Sequence, residues 1–130
     1  MISLDTNVLI RILLRDDPRQ ADTALAVLDG QAFVSLGVLI EAAWVLRHSY
    51  GYARKTIADA LAGFLSIPGV SVPNPDGVDW ALSRSRDHES DLADLLHIAG
   101  SGGTRAFVTF DRKLPRQAGP DAPLAIEVLR

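Results

Sequence analysis

The stretch whose reading decides the fold is MISLDTNVLIRILL, residues 1–14. Ile2 to Leu4 reads as a buried strand, and Val8, Leu9, Ile12 and Leu13 recur at helical spacing. Asp5 therefore stands at a strand-to-helix junction with Thr6 and Asn7 directly behind it. A side-chain oxygen at such a place accepts hydrogen bonds from the free N–H groups of a first turn, so the stretch taken alone makes Asp5 a helix cap.

Outward from this junction the pattern repeats. Met1–Leu4 is expected as a strand, Asn7–Leu14 and Pro18–Leu28 as helices, Ala32–Ser35 as a strand, and Val38–Tyr50 and Arg54–Ser66 as helices. Val70–Val72 reads as a short strand, Asn74-Pro75 as a helix start, Asp91 to Gly100 as a helix and Ala106–Thr109 as a strand. Leu114–Pro123, rich in Pro and Gly, is expected to be an irregular loop before a last strand, Leu124–Val128. Strands alternating with helices predict an α/β fold, three layers α/β/α around a mainly parallel central sheet of about five strands. The 130 residues are expected to form one domain, 1–130.

Composition narrows the class. Hydrophobic residues make up 48% and charged residues 22%, which suits a folded globular chain. Cysteine is absent, which excludes disulfides and thiolate metal sites. The apolar start lacks a basic leader and is broken by Asp5, Arg11 and Arg15, so it does not read as a secretory signal. The longest apolar run, Leu36 to Leu46, contains Glu41 and falls far short of the roughly 20 residues of a membrane span. A cytoplasmic protein is the expectation. The net charge of −3 gives no global attraction to nucleic acid, although local charge and any bound cation can still provide one.

Four carboxylates stand where a purely structural account is strained. Glu41 lies inside SLGVLIEAAWVL, where a buried acid must be paired, protonated or bound to a cation, unless that face meets water. In ESDLADLLHIAG, Ser90 or Asp91 serves as a cap, and Asp94 supplies first-turn charge that the helix dipole favours. His97 has no second histidine at ligand spacing and reads as an ordinary half-buried or surface residue. Asp111, in AFVTFDRKL, follows a strand as turn aspartates do. In a parallel sheet, however, ligands bind along the edge formed by the strand C-termini, and Asp5, Glu41 and Asp111 all point there. Asp94 joins them if its helix start folds back over that edge. Converging carboxylates repel unless a divalent cation gathers them, and oxygen-only ligands suit Mg²⁺ or Mn²⁺, which work with phosphate substrates.

LDTNVLI, VSLGVLIEAAWVL, DLADLLHIA and VTFDRKL together resemble the four signature segments of PIN-domain ribonucleases, across nearly the whole chain. The short length resembles the VapC-type toxins of bacterial type II toxin-antitoxin systems. The resemblance implies a single PIN-like nuclease domain in which Asp5, Glu41, Asp94 and Asp111 are the catalytic, metal-binding acids. Asn7, Thr109 and Thr6 would be polar neighbours that hold water or orient ligands. It implies Mg²⁺- or Mn²⁺-dependent endonucleolytic hydrolysis of RNA (tRNA, rRNA or mRNA) leaving a 5′ phosphate and a 3′ hydroxyl, inhibition of translation, a homodimer and a cognate antitoxin. Arg11, Arg15, Arg112 and Lys113 are the candidate phosphate contacts. Trp44 and Trp80 are expected chiefly in the core, with Tyr50 and Tyr52 available to an interface.

Two other readings fit parts of the pattern. An aspartyl-phosphate-type phosphatase using Asp5 as nucleophile typically carries a second aspartate two residues on, where this chain has Asn7. A non-enzymatic Mg²⁺-binding interaction module has no use for Glu41.

Overall fold

The junction at Asp5 is the first of several places where a short strand feeds directly into a helix. The computed structural model describes all residues 1–130, and the first two strands are β1 (Ile2–Ser3) and β2 (Ala32–Phe33), with β3 at Val70–Ser71. They pair in parallel in the order β1-β2-β3, with Ile2 opposite Ala32 and Ala32 opposite Val70. Between them run the helices α1 (Thr6–Leu14), α2 (Pro18–Ala26), α3 (Leu36–His48) and α4 (Arg54–Leu65). A single 3-10 turn, Val27–Asp29, extends α2 and occupies the end of the helix expected there. The second half holds α5 (Pro75–His88), α6 (Leu92–Ala99), β4 (Ala106–Thr109), α7 (Leu114–Ala118) and β5 (Ala125–Val128).

Every strand pairing is parallel and the fold is α/β/α, but the expected five-stranded sheet is divided. β4 and β5 form their own pair, separate from the ladder of three. The strands of the first sheet are too short for a wide ladder: β1, β2 and β3 are two residues each, and the amides of Ile2 and Leu4 both donate toward β2, to the carbonyls of Gln31 and Phe33.

A second departure is α7, in the segment expected to be irregular. Pro115 lies in its first turn, where the missing N–H is harmless, and Leu114 and Ala118, one turn apart, are both buried. Tertiary burial makes a helix of five residues that has no stability of its own.

Side-chain caps set the other boundaries. Asp17 accepts from the Gln20 amide at 3.1 Å, Ser35 from Val38 at 3.2 Å and Asn74 from Gly77 at 3.3 Å. Asn74 also donates its Nδ2 to the carbonyl of Ala99 at 2.9 Å, so the start of α5 is tied to the end of α6. A side chain at Gly77 would collide with Asn74 itself, which explains the glycine. The core is one cluster in which Leu9, Leu39, Leu61, Leu95, Leu96 and Ile98 are fully enclosed. It locks α1, α3, α4, α5 and α6 to one another, so the side chains those helices present are held on a rigid frame. No helix is long and apolar enough to cross a membrane.

Candidate active site

Asp5 occupies the N-cap position of α1, but its side chain makes no capping hydrogen bond, contrary to the expectation from the opening stretch alone. Its backbone carbonyl accepts from Leu9, and the exposed carboxylate stays uncommitted at the C-terminal end of β1. Ser35 starts α3 at the matching end of β2, one strand away.

Glu41 sits near the middle of α3 and is exposed, not buried. The apolar residues around it bury elsewhere: Leu39, Ala42, Ala43 and Leu46 face the core, while Glu41 and Trp44, three residues apart, meet solvent. Burial therefore plays no part in the case for Glu41. Its position does, because Glu41 lines one open hollow with Gly37, Ile40, Trp44 and His48 of α3, with Asp91, Ala93 and Asp94 at the start of α6 and with His97 in its last turn. The helix start carrying Asp94 thus folds back beside Glu41.

Asp91 is the cap of α6, accepting from the Asp94 amide at 3.1 Å. This bond orients the first turn and with it the Asp94 side chain. The turn ahead of Asp91 is held from behind. Fully buried Ser85 donates to the Ser90 carbonyl at 2.6 Å, Ser90 donates to the Gln117 carbonyl at 2.9 Å, and Arg84 donates to the carbonyls of Gln117 and Arg116. Glu89, in the left-handed region at φ 53°, makes the bend.

Asp94 is held above the ordinary carboxylate pKa. Desolvation is the largest cause, then the negative charges of Asp91 and Asp111, with His97 and Arg54 pulling the other way. The effect of Asp111 puts the carboxyl after β4 within electrostatic reach of α6. Asp111 closes a tight turn: its amide donates to the Thr109 hydroxyl at 3.0 Å, and its Oδ1 accepts from the Lys113 amide at 2.9 Å. Thr109 therefore positions the acid through the backbone. Thr6 is buried under the start of α1, and Asn7 opens onto a different hollow, between α1 and α2, with Arg11 and Arg19.

Asp91, Asp94 and Asp111 are thus electrostatically coupled, and Glu41 shares a hollow with the first two. No three of the Asp, Glu and His side chains close round a common point tightly enough to hold an ion as they stand. The donor set nonetheless fits a hard divalent cation: exposed carboxylate oxygens, one of them carrying unrelieved negative charge, with no thiolate near.

The four candidate phosphate contacts divide. Arg11 is spoken for: its Nε donates to Gln20 at 2.7 Å, its Nη1 pairs with Asp16 at 3.2 Å, and Tyr50 first and Asp16 second hold its pKa above the ordinary value. Arg15 is exposed at the left-handed end of α1. Arg112 and Lys113 are exposed beside Asp111, and Arg112 lines a surface hollow with Arg130. Trp80 packs against the core as expected, whereas Trp44 is 55% exposed. Trp44, His48, His97 and Arg54 are the site neighbours that sequence reasoning missed. Spacing within one helix gave no signal, because the residues come from α3, α4 and α6.

Thirty per cent of residues are identical over an 84-residue stretch shared with aminodeoxychorismate synthase component 1 of Lactococcus lactis subsp. lactis, covering 62% of this chain. This chain spans only 18% of that relative's length. Residues 2–120 match the PIN domain, which takes in every one of the acids from Asp5 to Asp111. The chain belongs to the PIN domain family, whose fold is that of metal-dependent nucleases.

Proposed function

We propose that this chain is a Mg²⁺- or Mn²⁺-dependent endoribonuclease, a single PIN nuclease domain acting as the toxin of a toxin-antitoxin pair and inhibiting translation by cutting RNA. The observation that carries the reading is Asp94, partly desolvated and pressed by the charges of Asp91 and Asp111 beside the hollow that Glu41 lines. A carboxyl held in that condition gains from a cation in a way that an isolated surface acid does not.

Asp94, Glu41, Asp111 and Asp5 are the residues that would hold the ion, as ligands and not as covalent nucleophiles. The chemistry such an ion supplies is acidification of water and stabilisation of charge on the phosphate. The protein's part is placement. Asp91 fixes the first turn of α6, Thr109 fixes the turn that presents Asp111, and the serine chain behind α6 keeps both in register. Arg15, Arg112 and Lys113 are free to meet the phosphate backbone, while Arg11 serves the α1–α2 corner. A cytoplasmic location, a homodimer and an antitoxin that covers the groove belong to the same proposal.

The test is incubation of purified protein with tRNA, rRNA fragments and mRNA in Mn²⁺ or Mg²⁺. Cleavage to 5′-phosphate and 3′-hydroxyl ends, abolished by EDTA and by Asp94→Asn, is expected. Intact RNA throughout transfers the fold to a cation-dependent interaction role, and an acyl phosphate trapped on Asp5 revives the phosphatase reading. Expression in a bacterial host, with and without the neighbouring small gene, tests the toxin role through growth arrest and its relief.

A further inference from the structure

An exposed Trp is a common anchor for a binding partner, with broad apolar faces and a polar N–H at one edge. Trp44 is 55% exposed, and its ring lies against His48 one turn on, with centroids 4.8 Å apart and planes tilted by 38°. Trp44, His48, Asp91 and Ala93 border two adjoining hollows. One contains Glu41, Asp94 and His97, and the other is completed by Arg47, Arg54 and Ile57. An aromatic floor is therefore flanked by acids on one side and by arginines on the other.

Arg54 has unused bonding capacity. Its Nη1 donates to the Glu89 carbonyl at 3.3 Å, its Nε is sealed from solvent, and its Nη2 donates to no protein group. A guanidinium presents several donors in one plane and suits a phosphate oxygen. Arg47 already donates one N–H to the Tyr52 carbonyl at 3.0 Å and adds positive charge to the same hollow.

We propose that Trp44, its ring resting against His48, is the platform for an unpaired nucleobase of the RNA beside the acids, with Arg54 holding the adjoining phosphate. The proposal rests on the nuclease reading and adds its specificity determinant. A phosphate strand approaching a cluster of carboxylates is repelled on one side, so a cation and a stacking surface next to that cluster fix which nucleotide enters. Every base has a π-face, so the platform selects for a single strand without selecting sequence strongly. Paired RNA offers its bases already stacked and is excluded. Stacking acts equally on bound substrate and transition state, so the effect falls on KM.

The binding test uses Trp80→Phe protein, which leaves Trp44 as the single indole, in EDTA so that nothing turns over. Titration with a short mixed-sequence oligoribonucleotide should quench Trp44 emission to saturation, while the same sequence as a duplex does not at equal concentration. Arg54→Gln should weaken binding and lower the salt slope by about one. In Mn²⁺, Trp44→Ala should raise KM about five- to a hundredfold with kcat within about twofold, and Trp44→Phe should restore KM to within about threefold. Unquenched emission, equal quenching by duplex, or an unchanged KM in Trp44→Ala overturns the proposal. Cleavage without quenching refutes the platform and leaves the nuclease standing. Quenching without any cleavage upholds the platform and refutes the nuclease.

Discussion

Asp91 can be either a cap or a charge in the site, and two substitutions separate the roles. Its Oδ1 accepts from the Asp94 amide at 3.1 Å, and its charge helps push the Asp94 pKa upward. Alanine removes cap and charge together. Loss of an N-cap costs about 1 kcal/mol. Relief of a like-charge pair three residues apart returns about 0.2–0.5 kcal/mol. The net loss for Asp91→Ala is therefore about 0.5–1 kcal/mol, a fall in Tm of about 2–5 °C for a chain of this size. Asparagine keeps the acceptor and removes the charge, so Asp91→Asn should melt with the wild type. In water, one unit charge about 6 Å from a divalent ion is worth about 1.4 kcal/mol, or a factor of ten. Asp91→Asn should therefore keep RNA cleavage within about tenfold, while Asp94→Asn abolishes it. Thermal melts by circular dichroism and single-turnover cleavage in Mn²⁺ give both readings. If Asp91→Asn melts normally and is as inactive as Asp94→Asn, then Asp91 is itself a ligand and its assignment as a cap that orients Asp94 is wrong.

Two further outcomes follow from the same residues. A carboxyl whose folded pKa is raised adds stability below its ordinary value of 3.8, and that stability is lost as pH rises through the folded pKa. Asp94→Asn, permanently neutral, should melt above the wild type at pH 7 without metal, and the gap should close below about pH 4. The gain stays under about 1 kcal/mol, because water still reaches the carboxyl and the helix dipole favours its charge. Ser85→Ala removes the buried donor to the Ser90 carbonyl, costs about 1–3 kcal/mol, and should reduce cleavage by loosening the turn before Asp91, with amide exchange at residues 89–92 rising ahead of global unfolding.

Local side-chain rules carried much of the fold into the sequence. Asn74 and Asp91 announce their helices because each oxygen reaches the amide three residues on, whereas Ser35, expected as the last residue of a strand, proves to be the cap of α3. β4 was legible residue for residue, since Ala106–Thr109 is bounded by glycines before it and a turn aspartate after it. Asp5 shows the limit of such rules: the residue is in the capping position, but its carboxylate does not bond there. α3 shows another. It is apolar nearly all the way round, so periodicity names no outer face, and the packing of α1 and α6 decides that Glu41 and Trp44 meet water. Arg11 was legible as a cation but not as an occupied one, because Asp16 and Gln20 reach it only where α1 turns into α2. The acids themselves were visible at the strand ends and helix starts, although Glu41, expected inside an apolar helix, meets water. Their electrostatic coupling across α6 and β4 depended on a fold-back that one sequence does not encode locally.

The central claim is that Asp94 and its neighbours gather a divalent ion, and Mn²⁺ binding followed by electron paramagnetic resonance measures it without substrate. The account predicts saturable binding to the wild type, weakened at least about tenfold by Asp94→Asn and also reduced by Asp5→Asn, Glu41→Gln and Asp111→Asn. Mn²⁺ bound equally well by wild type and Asp94→Asn, both fully folded, would contradict it.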